Sequence, residues 1–409
     1  MTIARSSETT AGIPALRDAT PYPWTFALVD LLSGRPYDRG LPITVDRFGD
    51  LISDTSSQLS ASVDVRAREV RDRAAIRALI TAITAPGATI APFVIVIEGP
   101  GNPLAAYALA SASLSASGAL TLTGTAIGSV LAFREVWDDL SFLEVDQFVI
   151  ARDLVAYAQG QPTTQGKTLG QGLTAAIPAA ALPLGITVDT VASGVARTKT
   201  YAGADSADVA TLLDDLAGLD DGIDYAFDVV WDAEAGRYAF PLRLGHPALG
   251  RSFEQTGLQF VANLTNGNVL DWQLATGARS EGGNVIREAG QGSGGASSDD
   301  TGQLFSSPAV AVQPGAPVMM RTVARTEEAD PTNLADYAAA DLAALAGDAK
   351  TFGATIRGDA WPLLGNWNRG DEALFTIEDA PGRVELIARI VGWEVRGNQI
   401  DLTLQLPGS

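Results

Sequence analysis

Residues 224–245 read DYAFDVVWDAEAGRYAFPLRLG. Along the first arm Tyr225, Phe227, Val229 and Trp231 fall on one face, and after Asp232–Gly236 the residues Tyr238, Phe240, Leu242 and Leu244 do the same. Side chains of a strand alternate sides with a period of two, so two such arms around a glycine-containing turn predict a β-hairpin.

The same signals, period-two alternation cut by Gly, Pro and Asn, recur on both sides of this hairpin. Upstream, strands are predicted over residues 24–32, 41–46, 58–65, 90–98, 105–114 and 119–127, with a turn cluster at 33–40. Residues 66–84 carry Val70, Ala74, Leu79 and Ile83 between charges and stop at Pro86-Gly87, the pattern of one amphipathic helix. Its five arginines (Arg66, Arg68, Arg71, Arg73, Arg77) predict either a solvated face or a contact with an acidic neighbouring subunit. Residues 99–133 contain no charge, yet Ser and Thr interrupt them throughout, so a core hairpin is expected in place of a membrane span. Residues 136–158 read as largely helical, 159–185 as a connecting loop and 186–201 as strand. Ser206 reads as the N-cap of a helix through Leu212, Leu213 and Leu216 that ends near Gly218.

Downstream, strands are expected over 269–276 and 284–288, a flexible loop over Gly290–Gly302, and an Ala/Leu helix over 331–347. Three strands follow from Thr351, the last two joined at Gly397-Asn398. The chain thus divides into an N-terminal arm (1–20), a β-rich domain with one helix (21–135), a mixed α/β region (136–330) and a C-terminal helix plus strands (331–409). The fold class is α+β, rich in β, and no tandem repeat of fixed period is visible.

Composition narrows the function. With 46% hydrophobic and 19% charged residues the 409-residue chain supports packed cores, which excludes a disordered protein. Its 48 acidic and 28 basic residues give a net charge of -20, which repels phosphate backbones and anionic lipids, so neither nucleic-acid binding nor membrane insertion is expected. One histidine, His246, and no cysteine remove disulfides, thiolate metal sites and most side chains that titrate near neutrality. The opening residues MTIARSSETTAGIPALRD lack the apolar run of a secretion signal.

Motifs that look chemical fail on their context. GQPTTQGKT (160–168) has five residues between its glycines where a P-loop needs four, and a helix pattern precedes it. Gly290–Gly295 spells G-x-G-x-x-G without a following helix to hold a pyrophosphate. The acidic pairs Asp138-Asp139, Asp214-Asp215, Asp220-Asp221 and Asp299-Asp300 read as turns and helix ends, and Asp220, Asp221 and Asp224 lack the calcium-loop pattern. His246 reads as a turn residue, and Arg369-Gly370-Asp371 as the turn before a strand at Ala373. No catalytic, cofactor-binding or metal-binding residue is assigned, and no cofactor is expected.

Between Asp146 and Gly295 the order of features resembles the tail hub, or minor tail, proteins of long-tailed, siphovirus-type actinobacteriophages. The carriers are VDQFVIARDLVAYAQG (145–160), SGVARTKTYAG (193–203), DDGIDY (220–225), the aromatic hairpin, GHPALGR (245–251) and NVIREAGQGSG (284–294). The resemblance implies two small hub-type β-barrel domains per subunit, arranged as a pseudo-sixfold ring when three subunits assemble below the tail tube. It implies as partners the chain itself, as homotrimer, the distal tail protein, the tape-measure protein and receptor-binding or other minor tail proteins. Residues 41–65 and 383–406 are expected to join the subunits by strand-edge pairing and barrel contacts. Three copies would carry about -60, which suits a conduit for DNA. The competing readings are a cell-wall glycan hydrolase or peptidase, and a carbohydrate-binding module using Trp361 and Trp367.

Overall fold

The computed structural model describes residues 24–99, 102–169, 181–188, 191–263, 267–276, 284–292, 303–312, 318–325, 328, 330–345, 350–378 and 382–406. The chain opens with strands β1 (Thr25–Asp30), β2 (Pro36–Arg39), β3 (Thr44–Leu51) and β4 (Gln58–Asp64). Helical segments α1 (Arg68–Arg71) and α2 (Ala74–Thr84) follow, then β5 (Phe93–Glu98), β6 (Pro103–Leu114) and β7 (Ala119–Ala126). The middle contributes β8 (Leu140–Asp146), α3 (Gln147–Ala158), β9 (Ile186–Val188), β10 (Ala196–Tyr201), α4 (Val209–Ala217), β11 (Asp224–Phe227), β12 (Val230–Asp232) and β13 (Arg237–Gly245). Next come α5 (Phe253–Thr256), β14 (Gln259–Ala262), β15 (Val269–Thr276), β16 (Val285–Gly292), β17 (Gln303–Phe305), β18 (Ala309–Val310), β19 (Met320–Ala324) and α6 (Pro331–Leu345). The chain closes with β20 (Lys350–Arg357), β21 (Glu372–Ile377), β22 (Val384–Arg396) and β23 (Gln399–Gln405).

Thirteen of these strands form one sheet, ordered β15-β20-β23-β22-β3-β4-β7-β6-β5-β1-β2, with β21 on β22 and β14 on β21. Within it one pattern occurs twice. The runs β3-β4-β7-β6-β5 and β15-β20-β23-β22-β21 share the spatial order first, second, fifth, fourth, third. In each run the fourth strand is long and bulged, at Leu109/Ser111 in β6 and at Ile390/Gly392 in β22. A bulge bends its strand and lets the two halves serve different neighbours. Ahead of the bulge β6 pairs with β5 and β22 with β21. Beyond it, β22 pairs with β3 of the other run, Trp393 opposite Asp50 and Val395 opposite Phe48.

Alternation sets the two faces. In β4, Leu59, Ala61 and Val63 point into a core shared by both runs and by Ile76 and Leu79 of α2, while Ser60 and Ser62 point away. Strand β5 is buried on both sides: Phe93, Ile95 and Ile97 join that core, and Val94 and Val96 join a second core built on α3, α4 and the β11–β13 sheet. A strand covered on both faces reads as a continuous apolar run, as FVIVIE does.

The β-rich α+β class is observed, with the uncharged stretch before Phe133 forming the antiparallel pair β6/β7. None of the sheets of described residues closes on itself into a barrel; the strands of the two expected barrels run together through β22 and β3. Several elements differ from expectation. The cluster at 33–40 contains β2, which pairs with β1. The helix at 66–84 breaks at Asp72-Arg73, where Arg73 reaches Asp38 at 2.7 Å and the Arg39 carbonyl at 2.9 Å. Residues 140–146 are strand, with Leu140 and Phe142 buried and Leu143 exposed; the helix starts only where the Asp146 carboxylate accepts the Phe148 amide. Ser206 adopts a left-handed φ of 49°, and Asp208 caps α4 by accepting from the Thr211 amide at 2.9 Å. The first hairpin arm is divided at Asp228-Val229, although both pieces pair with β13, Tyr225 opposite Leu244 and Trp231 opposite Tyr238. Four strands, not three, follow residue 350, and β22/β23 turn at Gly397-Asn398 as expected.

Because Phe48 packs edge-on against Trp393 at 5.6 Å in the seam between the runs, Phe48→Ala is expected to cost about 3–5 kcal/mol. Urea denaturation checks this, and a loss below about 1 kcal/mol would contradict a packed seam.

Candidate functional site: an assembly edge

The seam shows how two runs are held together. Beside the backbone ladder, the Tyr107 hydroxyl donates to the Gly49 carbonyl at 2.7 Å, and a Cβ on Gly49 would lie 2.6 Å from the Trp393 carbonyl oxygen. Strand β3 lies between β22 and β4, and β22 between β23 on one side and β21 with β3 on the other. Within residues 41–65 and 383–406, expected to join subunits, Phe48–Leu51 and Gly392–Val395 are therefore joined to one another within one chain.

Among the open strand edges of the described residues, which include the outer sides of β2 and β14, two occupy places in their runs equivalent to those of β3 and β22 at the seam. The outer side of β15 has no partner strand, nor does the side of β6 turned away from β7 beyond its bulge, residues 111–114. Unpaired strand edges are templates for another chain. Both carry apolar side chains on the core-facing side: Leu114 is 39% exposed and Leu274 43%. Beside β15, Asn268 donates to the carbonyl of Trp361, whose own ring is exposed.

Outside the part where β1, β5 and the first half of β6 meet the second core, the opposite face of the sheet is polar. It carries Ser111 hydrogen-bonded to Thr123 and Thr355 donating to Asp401 at 2.6 Å. Arg396 sits 2.5 Å from Glu394, so the arginine charge there is matched.

The middle region is fastened to the sheet by a buried guanidinium. Arg369, 5% exposed, donates to Asp50 at 2.5 Å, to Asp228 at 2.9 Å and to the Phe227 carbonyl at 3.0 Å. Burial pushes the Asp50 carboxyl up to about 7 against the pull of Arg369. Next to it Asp371, 1% exposed, accepts from the Arg251 amide at 3.0 Å and its guanidinium at 2.6 Å. Between these pairs Gly250 and Gly370, both at positive φ, bring their backbones together; a Cβ on Gly370 would stand 2.1 Å from the Leu249 carbonyl oxygen. Any larger residue would force the segments apart.

A second network ties α6 to its surroundings. Lys199 donates to Asp215 at 2.9 Å, Glu328 at 3.0 Å and the Tyr337 hydroxyl at 3.1 Å. Farther along, Glu288 of β16 is fully buried, its carboxylate 3.6 Å from Arg325, which also approaches Asp341. Burial first, then Asp341, pushes the Glu288 carboxyl up to about 7.

The residues singled out in the sequence fall into place as structure. Residues 160–168 form a turn closed on itself, Thr163 accepting from the Lys167 amide and Thr164 donating to Asp153. Gly290 and Gly292 are strand residues of β16, and the rest of that glycine run lies outside the described residues. Asp138 binds Tyr157, Asp139 the Gly203 amide and Asp214 the Tyr225 hydroxyl, while Asp299-Asp300 also lies outside. His246 sits in a turn after β13 with Nε2 2.9 Å from Asp221. Of the five arginines, Arg66, Arg68 and Arg73 pair within the chain. Trp367 is core, against Phe260. Arg369-Gly370-Asp371 is a turn as read, but a buried one. Sequence reasoning missed Lys199 and the Arg369 node, whose partners lie far away in the chain.

Over nearly its whole length this architecture is similar to the crystal structure of a tail protein from Neisseria meningitidis MC58, at TM-score 0.52 and 12% identity, covering 95% of this chain and 98% of that one. It is likewise similar to the 43 kDa tail protein of prophage MuSo2 from Shewanella oneidensis, at TM-score 0.53 and 10% identity, covering 94% and 98%. The chain has a tail-protein fold. No protein-family model and no curated protein matches its sequence. At such low identity the shared property is the arrangement of strands, and in this tail-protein fold the open edges of the large sheet are the candidate site.

Removing the buried guanidinium would strand Asp50 and Asp228, so Arg369→Met is expected to destabilise the tail-protein fold by about 3–5 kcal/mol in urea titration, and Arg369→Lys, which cannot fork to both acids, by a comparable amount. A second expectation follows from Glu288. Its raised value means the folded chain holds the proton more tightly than the unfolded one, so its stabilising effect is complete below the ordinary glutamate range and is lost as pH rises through about 7. Glu288→Gln should flatten the fall in urea midpoint between about pH 5 and about pH 8; an unchanged slope would contradict this origin.

Proposed function

We propose that the protein is a structural component of a phage virion: the hub at the distal end of a long, siphovirus-type tail, assembled as a homotrimer. Residues 21–135, and residues 331–409 together with β15, supply two ring-forming units per chain, so three chains give a pseudo-sixfold ring. The ring closes or narrows the tail tube, holds the end of the tape-measure protein, and anchors the distal tail protein and the receptor-binding proteins. The resemblance to hub proteins of actinobacteriophages points to an actinobacterial host. No reaction belongs to this role.

The observation that carries the reading is the doubled strand pattern, which joins one unit to the next inside the chain and leaves the corresponding edges open at either end. A heterologous contact that repeats in this way closes into a ring when the rotation permits. The similarity to two tail proteins along the whole chain supports the same role. The polar face, with its hydroxyls and the paired Arg396, is the surface offered to passing DNA, and the charge of -20 adds repulsion.

Gold-labelled antibody against the purified chain should decorate intact virions only at the far end of the tail, and quantitative mass spectrometry should return three copies per particle. Label along the tube or on the capsid, or a copy number unrelated to three, would overturn the assignment.

A further inference from the structure

We propose, building on the ring reading above, that β15 of one copy pairs antiparallel with residues 111–114 of β6 in the next, with Leu114 directly opposite Leu274 of the neighbouring copy. The register follows from the seam the chain already makes.

In the first unit Ala112 lies opposite Leu122 and Leu114 opposite Leu120; in the second Trp393 lies opposite Leu402 and Val395 opposite Ile400. Counted from the bulge in each long strand, Leu114 therefore stands where Val395 stands. The other side of the contact is fixed through the second strand of each unit. Leu59, Ala61 and Val63 face Gly124, Leu122 and Leu120, as Phe352, Ala354 and Ile356 face Leu404, Leu402 and Ile400. Phe48 lies opposite Leu59 and Leu274 opposite Phe352, so Leu274 stands where Phe48 stands. Val395 pairs with Phe48 across the seam. Its counterparts are Leu114 and Leu274.

Direction and surface agree with this register. All strands from β15 to β6 along the sheet are antiparallel to their neighbours, eight in number, so the next β15 meets β6 antiparallel without breaking the alternation. Leu114 and Leu274 both belong to the core-facing side and both remain substantially exposed in the single chain. Ser113 and Gln273 take the polar face, so a slip by one residue would turn leucine toward the polar side.

The absence of cysteine makes the test clean. Tails assembled from a chain carrying Leu114→Cys and Leu274→Cys should give, on oxidation, disulfide-linked species of two and three chains, because each copy offers one thiol to each neighbour. Each single variant should stay monomeric under the same oxidation, and the slipped pair Leu114→Cys with Gln273→Cys should cross-link at least about tenfold less. Equal yields from the slipped pair, or no cross-link in tails that micrographs show to be intact, would overturn the register while leaving the hub reading in place. Absence of the chain from purified tails would overturn the hub reading instead. If the double variant fails to assemble, hydrogen exchange on the unaltered chain decides: amides on the outer side of β15 and in residues 111–114 should slow at least about tenfold between free chain and tail, and unchanged rates would overturn the pairing.

Discussion

The fold depends on the pairing of β22 with β3, two strands separated by most of the chain. A buried strand edge with unpaired amides and carbonyls is costly, so a long strand that leaves its first partner must find another. In β22 the bulge after Ile390 redirects the strand from β21 to β3, and the edge-on contact of Phe48 with Trp393 fills the space this creates. Two units that would each have exposed an edge become one sheet with a shared core. The same solution is half built in β6, whose bulge after Leu109 frees its outer half from β5 without supplying a second partner in the chain. In the proposed ring, β15 of the next copy would supply that partner.

Charge holds the remaining parts to this sheet. Arg369 satisfies two carboxylates and two carbonyls from two separate segments, which fixes the aromatic hairpin against β3 more specifically than apolar contact alone. The adjoining Arg251–Asp371 pair and the touching glycines Gly250 and Gly370 do the same for the segment after His246. A network whose partners cannot be exchanged resists sliding better than a flat apolar interface. Lys199 plays the corresponding part for α6, bringing β10, α4 and α6 to one ammonium group.

Local pattern made much of this legible. The hairpin of residues 224–245 declares itself because each arm keeps one face apolar, and the uncharged 99–133 stretch resolves into strands because Ala119–Thr125 alternates. The reading failed where long-range pairing overrode local preference. Residues 140–146 carry a helix-compatible composition, but β10 recruits them as a strand, so the helix begins only at the Asp146 cap. Arg369-Gly370-Asp371 has the residues of a turn and forms one, yet nothing adjacent reveals that Asp50, over three hundred residues away, will bury the arginine. The doubled strand order was invisible because the units share topology without a sequence repeat: α1 and α2 separate β4 from β5, while the turn segment with Trp361 and Trp367 separates β20 from β21. Only the hydrogen-bond register exposes their equivalence.

The central claim is that the open ends of one sheet join copies of the chain into a ring. A density map of the assembled tail tip, at a resolution that separates strands, tests it most directly. The account predicts an unbroken circle of strands about a threefold axis, β6 of every copy hydrogen-bonded to β15 of the next. A map in which both edges face solvent, or in which copies meet only through the region around α3 and α4, would contradict it.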